Sequence, residues 1–139
     1  MGNKRGKPLI KDIQREKKIN KNKIDTLNYP IFCFKYLREI SIKGSTDADF
    51  FVNFLLRLQK LSDLGWEEIR KAPKHGFGTE QIPINKLKPK DYPSIMTPDV
   101  THLTVFRANG DNRPFLGIQN KDIFHVIFIE AKFNDIYNH

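Results

Sequence analysis

The chain has 139 residues, a length that fits one domain able to bury its own core. Hydrophobic residues make up 39% of it and include 11 Phe, which excludes a wholly disordered chain. The single cysteine, Cys33, excludes an internal disulfide and a CxxC redox pair, so a reducing compartment is expected. No apolar run approaches the roughly 18 residues that span a bilayer, and the N-terminus has no apolar signal segment. A cytoplasmic protein without a membrane partner is expected.

Positive charge is concentrated in two segments. Residues 1–29 carry nine Lys and Arg against three acidic residues and account for most of the net charge of +8. Residues 70–90 hold six basic residues against Glu80 alone. Two basic segments on a small chain favour a polyanion, and RNA first of all, as the partner. A solvated, solubilising surface would have the same composition.

The chain divides near Tyr29. Residues 1–29 form a basic arm, either disordered or thinly helical, which would become ordered only on a partner. Residues 30–139 form the folded domain. Its first run, from Ile31 to Leu37, is rich in aromatic and β-branched residues and predicts a strand of about seven residues.

A helical hairpin is predicted after Gly44. Thr46 or Asp47 can cap a helix whose apolar residues recur at spacings of three and four: Phe50, Phe51, Phe54, Leu55, Leu58 and Leu61. Residues 66–71 predict a short second helix, with acidic residues in its first turn and basic residues in its last. Pro73 ends this helix. Residues 73–100 contain five prolines and are predicted to be mostly irregular.

Three further strands are predicted in the last third of the chain, over residues 101–107, 114–118 and 123–130. Turn signals at 109–111 and 120–122 separate them, so they form an antiparallel meander. The predicted fold class is α+β: a strand, a helical hairpin, and then a three-stranded antiparallel meander. The hairpin would cover one face of the sheet and leave the other free for a ligand.

Two short features give the domain a family resemblance. The loop Lys74-His75-Gly76-Phe77-Gly78-Thr79-Glu80 follows the hairpin, and the sequence closes on Tyr137-Asn138-His139. Together with the order of elements, they resemble the RelE/ParE superfamily of small toxins, including its YoeB and HigB branches, over roughly residues 30–139. The resemblance implies a ribosome-associated endoribonuclease that cuts mRNA and is inhibited by a cognate antitoxin protein. In the ParE branch it implies a protein that poisons gyrase without nuclease chemistry.

Metal-free RNA cleavage needs a base for the 2′-hydroxyl, a cation beside the phosphate, and an acid for the departing 5′-oxygen. Glu80 is the predicted base, because surrounding cations keep it ionised; it would equally serve to balance its lysines. Arg107, with Arg113 across the turn, is the predicted cation, and a solubilising surface arginine is the alternative. His139 is the predicted acid and His75 the second choice. Their alternatives are a frayed end and an exposed loop residue.

Substrate binding is assigned to Lys74, Lys86 and Lys88, whose charges suit phosphates. Tyr137 would stack on a base or orient a phosphate, and packing on the sheet is the alternative. His125 is expected in the core or half-buried, because it alternates with apolar residues. No pair of histidines has ligand spacing with an acid or cysteine, so neither a metal nor a cofactor is expected.

Together, the resemblance and these residues lead us to expect a toxin-like enzyme: the resemblance implies an endoribonuclease that cleaves mRNA on the ribosome, and the residues suit acid–base attack of the 2′-hydroxyl. Two other readings stay open. A non-catalytic, gyrase-binding toxin would act through the helical hairpin. A non-enzymatic RNA- or ribosome-binding module would use the arm 1–29, and its affinity would then depend steeply on salt.

Overall fold

The computed structural model describes residues 28–109 and 112–139. The predicted basic arm therefore lies outside the described residues, apart from Asn28 and Tyr29. Five strands and two α-helices follow one another as β1 (Ile31–Cys33), α1 (Ala48–Leu64), α2 (Trp66–Lys71), β2 (Glu80–Pro83), β3 (His102–Arg107), β4 (Pro114–Asn120) and β5 (Ile123–Ile129). The predicted α+β class is confirmed. Within the described part of the chain, no helix combines the length and the apolar character needed to cross a membrane.

The five strands form one sheet in the order β1-β5-β4-β3-β2. Strands β2 to β5 pair antiparallel with their neighbours, whereas β1 pairs parallel with β5. Strands β3 and β5 therefore run in the same direction, and both end at the same edge of the sheet. Strand β2 begins at this edge, because Glu80 pairs opposite Val105 near the end of β3.

Two of the strand predictions are wrong. Strand β1 has three residues rather than about seven, since the chain leaves the sheet in a turn where the Leu37 N–H donates to the Phe34 carbonyl at 3.1 Å. Strand β2 forms inside the segment predicted to be irregular, so the sheet has five strands instead of four. Pro83 is tolerated there because β2 is the outermost strand of the sheet, where a missing N–H need not break the ladder of hydrogen bonds.

The helical hairpin forms as predicted, with one exception in its buried face. Asp47 caps α1, and its Oδ1 accepts a hydrogen bond from the Phe50 N–H at 3.0 Å. The buried residues of α1 recur at spacings of three and four and are Phe50, Phe54, Leu58 and Leu61. Leu55, predicted among them, is 67% exposed. The short helix α2 adds Trp66 and Ile69 to the same core.

Both helices pack on one face of the sheet through an aromatic core. The Phe106 ring stacks on the Phe115 ring with centroids 5.0 Å apart and meets the Phe124 ring edge-on, also at 5.0 Å. These three side chains belong to β3, β4 and β5, so the core ties the whole meander to the hairpin.

The opposite face, called here the second face, is not open, and that prediction is wrong. Its buried residues are Ile82, Leu87, Leu103, Val105, Leu116, Ile127, Phe128 and Ile136. Residues from the proline-rich segment pack against them, namely Ile84, Tyr92, Ile95, Met96 and Val100. The physical reason is that β3 and β5 carry apolar side chains on both sides, so each side needs a cover.

A bulge interrupts the pairing of β4 with β5. Leu116 pairs with Phe128 but Gly117 pairs with Val126, so Ile127 is the extra residue. Ile127 and Phe128 consequently both lie on the second face of the sheet. Glycine is required at 117, because a Cβ there would overlap the His125 carbonyl oxygen.

The buried position of Ile136 gives a direct test of the closed second face. Ile136 is 0% exposed, and we expect Ile136→Ala to lower the free energy of unfolding by about 2–5 kcal/mol through the cavity it leaves. Ile42 is 53% exposed, so Ile42→Ala is the matched control and should change that free energy by about 0.5 kcal/mol or less. Urea denaturation measures both variants. Equal small losses would mean that the tail, residues 130–139, does not cover the sheet.

Candidate active site

Five polar or ionisable side chains meet where β3 and β5 end and β2 begins. They are Glu80, Arg107, Glu130, Tyr137 and His139, and are called here the edge cluster. Arg107 follows Val105 by two residues, and Glu80 precedes Ile82 by two, so strand alternation places both on the second face. The tail after β5 returns to this edge and brings Tyr137 and His139 with it.

Arg107 and Glu80 form the first half of the edge cluster. The Arg107 Nη2 donates to Glu80 Oε2 at 2.7 Å, and Nη1 donates to the Asn112 carbonyl at 3.3 Å. The Arg107 side chain is 8% exposed and that of Glu80 is 30% exposed. Lys74 Nζ lies 3.6 Å from the other Glu80 oxygen, Oε1. Glu80 is thus a partly accessible carboxylate between two cations, one of them fixed by burial.

Glu130 and His139 form the second half. Glu130 is 0% exposed, and its Oε2 accepts hydrogen bonds from the backbone N–H groups of Ile136 at 3.0 Å and Tyr137 at 3.4 Å. Its Oε1 lies 2.5 Å from His139 Nε2. Both oxygens of this buried carboxylate are therefore occupied, which is the condition for burying such a group.

The imidazole of His139 is held on several sides. Its ring stacks with the Phe133 ring at 4.2 Å and with the Tyr137 ring at 4.4 Å between centroids. The His139 backbone N–H donates to Asn134 Oδ1 at 3.0 Å, and the side chain is 16% exposed. His139 is therefore anchored in the structure, and a frayed end does not describe it.

Tyr137 joins the two halves. Burial raises the pKa of Tyr137 above its usual value, and the negative charges of Glu130 and Glu80 add to the rise. The positive charge of the Arg107 guanidinium opposes that rise in pKa. The phenol consequently keeps its proton at neutral pH and offers a hydrogen-bond donor beside the arginine.

All three lysines assigned to substrate binding lie beside the edge cluster or the chain that follows β5. Lys74 reaches Glu80 directly. Lys88 Nζ donates to the Asn134 carbonyl at 2.6 Å, and the Lys88 backbone N–H donates to the Ile136 carbonyl at 2.7 Å. The third, Lys86, shares a hollow of about 370 Å³ with Tyr137 and with residues 82, 83 and 138. Three of the six basic residues of segment 70–90 thus lie on the side of the site where β2 begins and the chain leaves it.

The structure does not bring Arg113 or His75 into the edge cluster. Arg113 Nη1 donates to Asp47 Oδ2 at 3.1 Å and to the Ala131 carbonyl at 2.7 Å, and its guanidinium lies 4.3 Å from the Phe50 ring centroid. These contacts are on the helix side of the sheet. His75 is exposed in the loop between α2 and β2.

Glu130 is the member of the edge cluster that sequence reasoning missed. It was included only as the last residue of an apolar strand over 123–130. The sequence carried a usable signal, because an acidic residue directly follows the four apolar residues 126–129, and a carboxylate buried with them would need partners. Phe133 and Asn134, which hold the ring and the backbone of His139, were also missed.

Among residues 28–109 and 112–139, no three His, Cys, Asp or Glu side chains are grouped so that they could hold a metal ion. Comparison of the chain with protein-family models, curated proteins and solved structures gave no match. The function is therefore inferred from the edge cluster itself.

Two glycines in the loop before Glu80 form a matched pair for mutation. A Cβ at Gly78 would overlap the Ala72 carbonyl oxygen and lie 2.8 Å from that of Pro73, whereas a Cβ at Gly76 would lie 3.5 Å from its nearest atom. We expect Gly78→Ala to lower the free energy of unfolding by about 1–3 kcal/mol and to displace Glu80. Gly76→Ala should stay within about 0.5 kcal/mol. Thermal unfolding compares the two, and equal effects would contradict this packing.

The raised pKa of Tyr137 predicts a pH dependence of stability. Because the folded chain holds this proton more tightly than the unfolded chain, the contribution is complete at neutral pH and is lost as the pH rises through about 10 and beyond. Tyr137→Phe has no such contribution, so wild type should lose stability relative to this variant in alkaline solution. Urea unfolding at a series of pH values measures the difference. A difference that is constant with pH would show that Tyr137 titrates alike in both states.

Proposed function

We propose that the edge cluster cleaves the phosphodiester backbone of RNA. The observation that carries the proposal is the meeting of three groups at one sheet edge: a partly exposed carboxylate, Glu80; an arginine bonded to it, Arg107; and a histidine bonded to a buried carboxylate, His139. These are the three kinds of group that intramolecular attack of a 2′-hydroxyl requires.

In this mechanism Glu80 takes the proton of the 2′-hydroxyl, and the resulting oxygen attacks the adjacent phosphorus. The O2′–P bond forms as the P–O5′ bond breaks, and the protonated His139 gives its proton to the departing 5′-oxygen. The products are a 2′,3′-cyclic phosphate and a 5′-hydroxyl. Arg107 stabilises the added negative charge on the phosphate oxygens, for which its planar fork is suited.

The surroundings of the site support a polyanionic substrate. Lys74 lies beside Glu80, and Lys86 and Lys88 follow on the segment that leads from β2 to the second face. Cations along one side of a cleft attract a phosphate backbone regardless of its sequence. The protonated hydroxyl of Tyr137 adds a donor for a phosphate oxygen, next to Arg107.

The finer assignment in this proposal is a RelE-like toxin. The order of strand, helical hairpin and meander supports it, as do the positions of Glu80, Arg107 and His139. The corresponding activity is ribosome-dependent cleavage of mRNA in the cytoplasm, and the corresponding partner is a cognate antitoxin protein that inhibits it.

One observation favours a second candidate, a non-catalytic toxin that binds gyrase through the hairpin. Val52, Leu55 and Leu56 lie on α1 at spacings that share one side of a helix, and they are 59%, 67% and 59% exposed. Exposed apolar side chains grouped in this way are typical of a protein-binding surface.

Cleavage of an end-labelled mRNA in a translating extract tests the proposal. We expect Glu80→Gln and His139→Ala each to lower the cleavage rate by about 10²–10⁴-fold, because each removes one proton-transfer group. Arg107→Lys keeps the charge but loses the fork, and should also be impaired. His75→Ala is the matched control for His139→Ala, since His75 is exposed and lies outside the edge cluster.

The ends of the RNA fragments supply a second readout. A 2′,3′-cyclic phosphate on the upstream fragment is expected from the mechanism. Cleavage that persists in both Glu80→Gln and His139→Ala would remove these residues from the mechanism. Intact RNA together with blocked DNA supercoiling would select the gyrase-binding candidate.

A further inference from the structure

We propose that Glu130 is a positioning residue that fixes both the place of His139 and the ring nitrogen with which His139 exchanges a proton. The inference rests on the proposed function, because it concerns the acid of that reaction. It adds a residue that makes no contact with the reacting atoms and acts through the imidazole.

The placing of His139 follows from the first oxygen of the carboxylate. Glu130 Oε2 accepts from the backbone N–H groups of Ile136 and Tyr137, so the chain between residues 131 and 135 closes into a loop on the end of β5. Ile136 is buried in the second face at the same point. His139 therefore reaches the edge cluster on a segment that is fixed only a few residues before it.

The choice of ring nitrogen follows from the second oxygen. A carboxylate oxygen accepts hydrogen bonds and has no proton to donate, so His139 Nε2, 2.5 Å from Glu130 Oε1, carries the hydrogen. In the neutral ring this leaves Nδ1 unprotonated, and in the charged ring Nδ1–H is the proton free to move. The stacking of Phe133 and Tyr137 on the imidazole opposes rotation of the ring.

A purely structural role for Glu130 predicts a different outcome, and Glu130→Gln separates the two. The Gln oxygen can take the place of Oε2 and keep both backbone hydrogen bonds. Its NH₂ group then takes the place of Oε1 and donates to His139 Nε2, so the ring hydrogen must move to Nδ1. The substitution thus preserves the loop and reverses the tautomer.

The test combines ring-nitrogen NMR with kinetics on the full chain. In mildly alkaline solution, the ¹⁵N spectrum of wild-type protein should show His139 with its hydrogen on Nε2, and Glu130→Gln should shift it to Nδ1. The signals of His75 and His102 in the same spectra are internal references.

For RNA cleavage we expect kcat to fall by about 10²–10⁴-fold in Glu130→Gln, with little change in KM, as for an orienting carboxylate in other acid–base sites. The urea midpoint of Glu130→Gln should stay close to that of wild type. Glu130→Ala should lower both kcat and the urea midpoint.

Three results would overturn the proposal. A wild-type His139 with its hydrogen on Nδ1 would do so alone, even if Glu130→Gln failed to fold. An unchanged tautomer in a folded Glu130→Gln would do so as well. The third is a kcat that falls only in proportion to the loss of folded protein. If wild type cuts no RNA, the proposed function fails, and the NMR result still decides whether Glu130 fixes the ring.

Discussion

The filling of both faces of the sheet is the constraint from which the rest of the structure follows. Strands β3 and β5 carry apolar side chains on both sides, so the hairpin alone cannot bury them. Residues 84–100 and the tail supply the second cover. With the faces closed, the strand ends are where polar side chains can reach solvent while staying attached to a rigid sheet, and the edge cluster lies there.

The tail has a double role in this arrangement. Ile136 completes the second core, while Tyr137 and His139 on either side of Asn138 enter the edge cluster. A segment that only completed the packing of the second face would need no polar partners. The buried carboxylate of Glu130 joins the two roles, because its backbone hydrogen bonds serve the packing and its bond to the imidazole serves the site.

The features that the sequence predicted are those with a local physical cause. Helix α1 has an apolar repeat and an aspartate cap, and the meander has strong turn residues between its strands. Glu80 and Arg107 were chosen from local charge and residue type, and they do contact each other. Strand β2 was missed because its four residues include a proline and carry little periodicity. The cover of the second face was missed for a similar reason, since Tyr92, Ile95 and Met96 are apolar residues scattered among turn formers.

The bulge opposite Gly117 determines which way Glu130 points. Along β5, Phe124 and Val126 face the helices, and uninterrupted alternation would turn the side chain at 130 toward the helices too. The extra residue, Ile127, shifts the alternation of side chains between the two faces by one position. Glu130 therefore faces the tail instead of the helices. One inserted residue in a strand thus decides on which face of the sheet the carboxylate meets the imidazole. A relative that lacked this irregularity would have to build its histidine partner from another part of the chain.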